Sequence, residues 1–242
     1  MSVQQLFQAG RLDEAIQALS AELRDNPGDA KRRTFLFELL CFAGDFARAE
    51  KQLDILASDS REAEMGGLLY RSALHAEKTR HELFEKGENP PAEKANGDSQ
   101  AATSGALNGK PFEVLSDGDP RVGSHLELFA AGSYMWIPFS LIASIQIPAP
   151  KRLRDLLWTP AVVKPSAAFQ GRELGEVLLP VLSPFSWKHA DANVRLGRST
   201  VWEENATGDA VPLGQKILVA DDEEIPILEI RSLEFAAAKA AS

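Results

Sequence analysis

The sequence predicts an α+β fold, with an N-terminal tetratricopeptide-like α-helical domain followed by a β-rich C-terminal domain. Three observations carry that expectation. The first third of the chain matches itself at a spacing of 34 residues, residues 86–111 contain almost no large apolar side chains, and short β-type runs separated by turn residues follow. At 242 residues and 44% hydrophobic content the chain is long enough for one large domain or two ordinary ones, with a real core.

In "LFQAGRLDEAIQAL" (6–19) and the stretch 34 positions on, Leu6 meets Leu40, Ala9 meets Ala43 and Gly10 meets Gly44. Leu12 then meets Phe46, Ala15 meets Ala49 and Leu19 meets Leu53. Each match has a physical reason. Glycine ends a helix where the backbone turns, small alanine lets paired helices approach closely, and leucine fills the space between them. "DNPGDA" (25–30) separates the repeats, since Pro27 cannot continue a helix and Asp29 can cap the next. A third helical stretch, about Arg61 to Glu85, lacks the glycine and closes the array. The helical domain is therefore placed at 1–87. The Gly-, Pro-, Ser- and Ala-rich segment 88–111 is placed as a flexible linker, because it cannot bury enough surface to offset its ordering entropy.

The β-rich domain is placed at 112–235. "HLELFAAGSYMWIPF" (125–139) predicts two strands around "AAGS", and "LIASIQI" (141–147) a third. "GEVLLPVL" (175–182), "STVWEE" (199–204), "QKILVA" (215–220) and "IPILEIRSLEF" (225–235) continue the pattern, with "GDAVPLGQ" and "ADDEE" as polar turns between them. Residues 236–242 are expected to be a frayed tail.

The formal charge of -9 argues against a polyanion as the main partner, because nucleic-acid binding relies on a basic face. Neither half is set apart by charge, with 12 basic and 16 acidic residues up to Glu88, and 12 and 17 from Pro111 onward. The single cysteine, Cys41, lies in an apolar helical pattern, which suits a buried thiol in a reducing compartment. The start of the chain has no secretory pattern, and no apolar run approaches the roughly 20 residues of a membrane span. A soluble cytoplasmic protein is expected.

Chemistry-bearing motifs are sparse. The four histidines have no metal-ligand spacing, and phosphate loops, dinucleotide fingerprints and nucleophile elbows are missing, so neither metal nor cofactor is expected. His189, two residues from Asp191, is the first candidate for a general acid or base; the competing reading has Asp191 capping a turn and His189 making a structural hydrogen bond. The segment "PKRLRDLLWTPAVV" (150–163) also admits two readings. Its cations could hold a carboxylate-rich or phosphorylated partner. Equally, a short helical turn from Lys151 to Leu157 could pack Leu153, Leu156, Leu157 and Trp158 inward, with Asp155 as local counter-charge and Pro148, Pro150 and Pro160 bracketing it.

Taken in order, "MWIPFSLIASIQIPAPKRLRDLLWTPAVV", "GEVLLPVLSPFSWKHADANVRLGRSTVW" and "GQKILVADDEEIPILEIRSLEF" resemble the C-terminal half of the ImpE/SciE family, also called TagJ. The helical start resembles the family too, so the likeness covers nearly everything except the linker. The family comprises accessory proteins of bacterial type VI secretion systems. The resemblance implies a non-enzymatic component that binds the small, TssB-type subunit of the contractile sheath and influences sheath assembly or its disassembly by the ClpV-type ATPase. It also implies that Arg152, Arg154, Asp155, Trp158, Pro160, Trp187, His189 and Arg195 are motif positions with structural roles. The alternative class is a hydrolase-like enzyme with a site around His189.

Tetratricopeptide arrays hold peptides in the groove lined by their first helices. The repeat register points Thr34, Glu38, Phe42, Leu68 and Ser72 toward that groove, with Phe42 and Leu68 as apolar anchors and Glu38 as an orienting charge. Phe42 and Leu68 fit core positions equally well, and the β-rich half offers a sheet edge as a second docking mode.

Overall fold

A computed structural model describes residues 1–57, 61–90, 104–169, 174–205 and 207–236, with the backbone alone over 61–66. Most of the expected linker and the tail beyond Ala236 lie outside the described residues. The helical array consists of α1 (Val3–Gln8), α2 (Leu12–Asp25), α3 (Ala30–Phe42), α4 (Phe46–Ala57) and α5 (Arg61–Lys86). Its repeat is visible atom by atom. The Arg11 N–H returns to the Leu6 carbonyl at 2.9 Å around Gly10, and the Asp45 N–H returns to Leu40 at 2.9 Å around Gly44. Those two glycines have φ of +72° and +70°, where a side chain is strained. Asp29 caps α3 by accepting the Arg32 N–H at 2.9 Å. Ala15, Leu19, Ala49 and Leu53 are all buried where the helices cross. In its C-terminal half α3 is buried all round, Leu36 through Phe42 without a break, as befits a helix enclosed from every side.

The β half is an antiparallel eight-stranded sheet with two small satellites. The strands are β1 (Gly105–Leu107), β2 (Lys110–Phe112), β3 (Leu115–Asp117), β4 (His125–Ala130), β5 (Ser133–Pro138), β6 (Ile142–Gln146) and β7 (Trp158–Pro165). They continue with β8 (Glu176–Pro180), β9 (Thr200–Glu204), β10 (Ala210–Gly214), β11 (Ile217–Ala220), β12 (Glu223–Pro226) and β13 (Ser232–Phe235). The large sheet runs β2-β1-β13-β6-β7-β8-β4-β5; β12-β11-β3 forms a second sheet and β10-β9 a third. A one-turn helix, α6 (Ala192–Arg195), lies in the loop before β9.

The large sheet is buried on both faces, and the period-2 alternation of its strands divides two cores. Phe129, Tyr134, Trp136 and Trp158 face the helices and merge with Phe37, Leu39 and Leu74 in one apolar cluster. Leu128, Ile137, Val163 and Leu179 face the other way, onto Leu218 and Ile227. The first of these cores is shared by helices and sheet, so it holds the two halves against each other.

Several expectations change. Gly105–Leu107 and Lys110–Phe112, read as linker up to Pro111, form the hairpin that extends the sheet beside β13. "GDAVPLGQ", read as a polar turn, contains β10, which pairs with β9 because Val211 and Pro212 bury there. Pro160 lies on β7 rather than bracketing a turn; it sits where β8 flanks it and β6, paired only with residues 162–165, has ended. "IPILEIRSLEF" is broken by a 3-10 turn into the end of β12 and β13. No helix among the described residues is long and apolar enough to cross a membrane.

Candidate protein interaction surfaces

The concave face of the array, where a peptide was expected, is occupied by the chain's own β half. Leu153–Leu156 form a 3-10 turn, and the Asp155 carboxylate holds its entrance by accepting the N–H groups of Lys151 at 2.8 Å and Arg152 at 2.9 Å. Arg152 stays exposed. Arg154 instead reaches the helices: it donates to the Tyr70 hydroxyl at 2.8 Å, and its guanidinium stands 5.0 Å from the Tyr70 ring centre. Burial pushes the carboxyl of Glu38 up to about 7 despite the nearby Arg154 charge and N–H. Trp158 packs 6.3 Å from Phe37 and donates its indole N–H to Glu77 at 2.8 Å.

Beneath this contact lies a buried ionic network that sequence reasoning did not anticipate. Arg80 of α5, with no exposed surface, donates to both oxygens of Glu127 on β4 at 2.8 and 3.0 Å. It also reaches Glu77 at 3.2 Å and the Leu182 carbonyl at 3.0 Å. Lys216 bonds Glu127 and lies 2.5 Å from Asp117. Tyr134 donates to Glu127 at 2.5 Å and accepts from Trp136. Burial would raise the Glu127 carboxyl, yet Arg80 and Lys216 outweigh it and hold it below the ordinary range. Asp117, whose burial outweighs the Lys216 charge, is pushed up to about 6. A bidentate Arg–carboxylate pair at 0% exposure fixes geometry, and losing either partner would strand a charge. The one visible sequence signal was Glu127 set between Leu126 and Leu128 in an otherwise apolar run.

The remaining motif residues grip the repeat turns. Trp187 lies against Gly44 so closely that a Cβ there would stand 2.3 Å from its ring. Arg195 forms two bonds to Asp13 at 2.9 and 3.0 Å, and Arg198 donates to the carbonyls of Phe7 and Gln8 at the end of α1. Asp191 caps α6, and His189 accepts the Asp191 N–H at 3.0 Å through Nδ1, with Nε2 3.4 Å from Glu203. That arrangement matches the turn reading of His189. Cys41 is buried, and burial pushes its thiol well up.

Of the five expected groove positions, Phe42 has no exposed surface and Glu38 is 8% exposed. Phe42 lies in the core shared by helices and sheet, and Glu38 lies beside Arg154 of the chain's own β half. Ser72 meets the β4–β5 turn at Gly132. Thr34 is half-buried, its hydroxyl returning to the Ala30 carbonyl. Leu68 is 66% exposed, beside Leu69 at 53%. The sheet edges are blunted as well, since α5 packs against β5 and the other edge, β2, is three residues long and includes Pro111.

Comparison with known proteins agrees with this architecture. The family model described as ImpE protein matches residues 109–234, and a tetratricopeptide repeat model matches residues 6–70. The type VI secretion system accessory component TagJ of Pseudomonas aeruginosa is 33% identical over 264 aligned positions, covering 97% of this chain and 91% of that protein. An X-ray crystal structure of a Vibrio parahaemolyticus protein superposes with a TM-score of 0.83 over 97% of both chains; at 22% identity it speaks for the fold alone.

Proposed function

The chain belongs to the ImpE family, and from that premise we propose that it is a non-enzymatic accessory adaptor of a bacterial type VI secretion system. In this reading it works in the cytoplasm and holds the small, TssB-type subunit of the contractile sheath. It thereby influences sheath assembly or the recruitment of the ClpV-type ATPase that takes contracted sheath apart. The observation that carries the reading is the likeness to an accessory component over 97% of the chain. The single core shared by helices and sheet supports it further, because a rigid two-part body presents fixed outer surfaces rather than an open cleft. Of the positions expected to face the partner, Thr34 and Leu68 keep accessible side chains and stay in the proposal.

Calorimetry of the full chain against the cognate small sheath subunit, whole and without its N-terminal segment, tests the reading. Micromolar or tighter binding without turnover, lost with the truncation, is expected. No binding to either form removes the sheath subunit as partner.

A further inference from the structure

Between α2, α3 and α4 the array has a groove whose described lining includes no residue of the β half. It is shallow, about 690 Å³, with Ile16, Leu23 and Leu36 in its floor and Arg24, Arg33 and Arg48 around them. Among the described residues no Asp or Glu side chain lines it. In a chain of net charge -9, three guanidinium groups on one small apolar floor form a local positive focus.

Arg33 is the telling residue. At 8% exposure it is nearly as buried as Arg80. Arg80 has two carboxylates, whereas the side chain of Arg33 bonds only neutral oxygens: the Gln52 amide at 2.9 Å and the Pro27 carbonyl. Among the described residues no carboxylate pairs with it, nor with Arg24. Arg48 is steadied by Asp45 at 3.1 Å. A desolvated cation held by neutral acceptors gains most from an incoming carboxylate, and its planar fork suits bidentate capture.

We infer that this groove docks a carboxylate-rich segment of the protein partner, its acidic side chains on Arg24, Arg33 and Arg48 and an apolar side chain over Ile16 and Leu36. The assignment rests on the adaptor reading and adds to it the surface and the chemistry of the segment held. The outer side of the array, not its concave face, is then the docking side.

The test uses the full chain and the cognate small sheath subunit. Arg24→Glu/Arg48→Glu reverses two exposed charges without touching the core, and Lys151→Glu/Arg152→Glu, two exposed charges reversed on the far segment, is the control with the same change in net charge. Expected are a loss of affinity of about tenfold or more for the double variant, none for the control, and weakening of the wild-type complex between about 50 and 500 mM salt. Wild-type affinity in a folded double variant would overturn the groove assignment and leave the adaptor reading standing. No wild-type binding would remove both. A wild-type dimer that the double variant dissociates in light scattering would assign the groove to a second copy of the chain and overturn the inference in that way.

Discussion

The two faces of the helical array differ in what answers their charges. On the concave face Arg80, wholly buried, is met by Glu127 and Glu77, and Arg154 lies on Tyr70 near Glu38. On the outer face Arg33, almost as buried, is met only by neutral oxygens, with Arg24 and Arg48 beside it. The covered face has its partner within the chain; the open one has positive charge that the described residues leave uncompensated. Location on the concave side of a tetratricopeptide array is therefore a poor guide to where a partner binds once a second half of the same chain has filled that side.

The comparison can be broken most forcefully at its covered side. Arg80→Ala takes the bidentate partner from Glu127 and a cation from Glu77 in a buried junction, leaving Lys216 as the cation on Glu127, and is expected to cost about 3–5 kcal/mol, read from urea unfolding followed by fluorescence of the buried tryptophans. A loss below about 1 kcal/mol would mean that water already reaches the network.

Glu38→Gln gives a smaller, pH-dependent effect. The folded-state carboxyl is raised from 4.5 to about 7, so its contribution is fully present below pH 4.5 and lost as pH rises through 7. Glutamine copies the neutral acid at every pH. Relative to wild type, the variant should gain on the order of 2 kcal/mol between about pH 5 and pH 8.5. A stability difference that stays constant across that range would show Glu38 to be paired rather than merely buried.

The open side should respond least in stability. Arg24→Glu/Arg48→Glu removes the exposed Arg48–Asp45 pair, the Arg48 bond to the Ser20 hydroxyl at 3.5 Å and the basic charge of Arg24 in the last turn of α2, and the unfolding free energy is expected to fall by less than about 1 kcal/mol. A larger loss would mean that the arginines serve the fold. The contrast between the faces would then dissolve.

Much of this was legible from residue order. The period of 34, the two glycine turns, the Asp29 cap and the β4–β5 hairpin are local features, set by residues close in sequence, and each appears where expected. The inward packing of Leu157 and Trp158 and the cap at Asp191 were legible for the same reason. Strands β1, β2, β3, β7 and β10 were not. The first two are three residues long in a run of small and polar residues, and β10 carries a proline and a terminal glycine, so their pairing depends on distant partners such as β13.

By itself, then, the sequence determined the two-part α+β architecture and the family, since helix periodicity, turn chemistry and ordered motifs are all written in neighbouring residues. Only the tertiary structure decided which face of the array is free. Arg80 finds Glu127 across 47 residues, Glu127 finds Lys216 across 89, and Arg195 finds Asp13 across 182. Whether an arginine is buried with a carboxylate or without one depends on which distant surface desolvates it, and no local pattern encodes that.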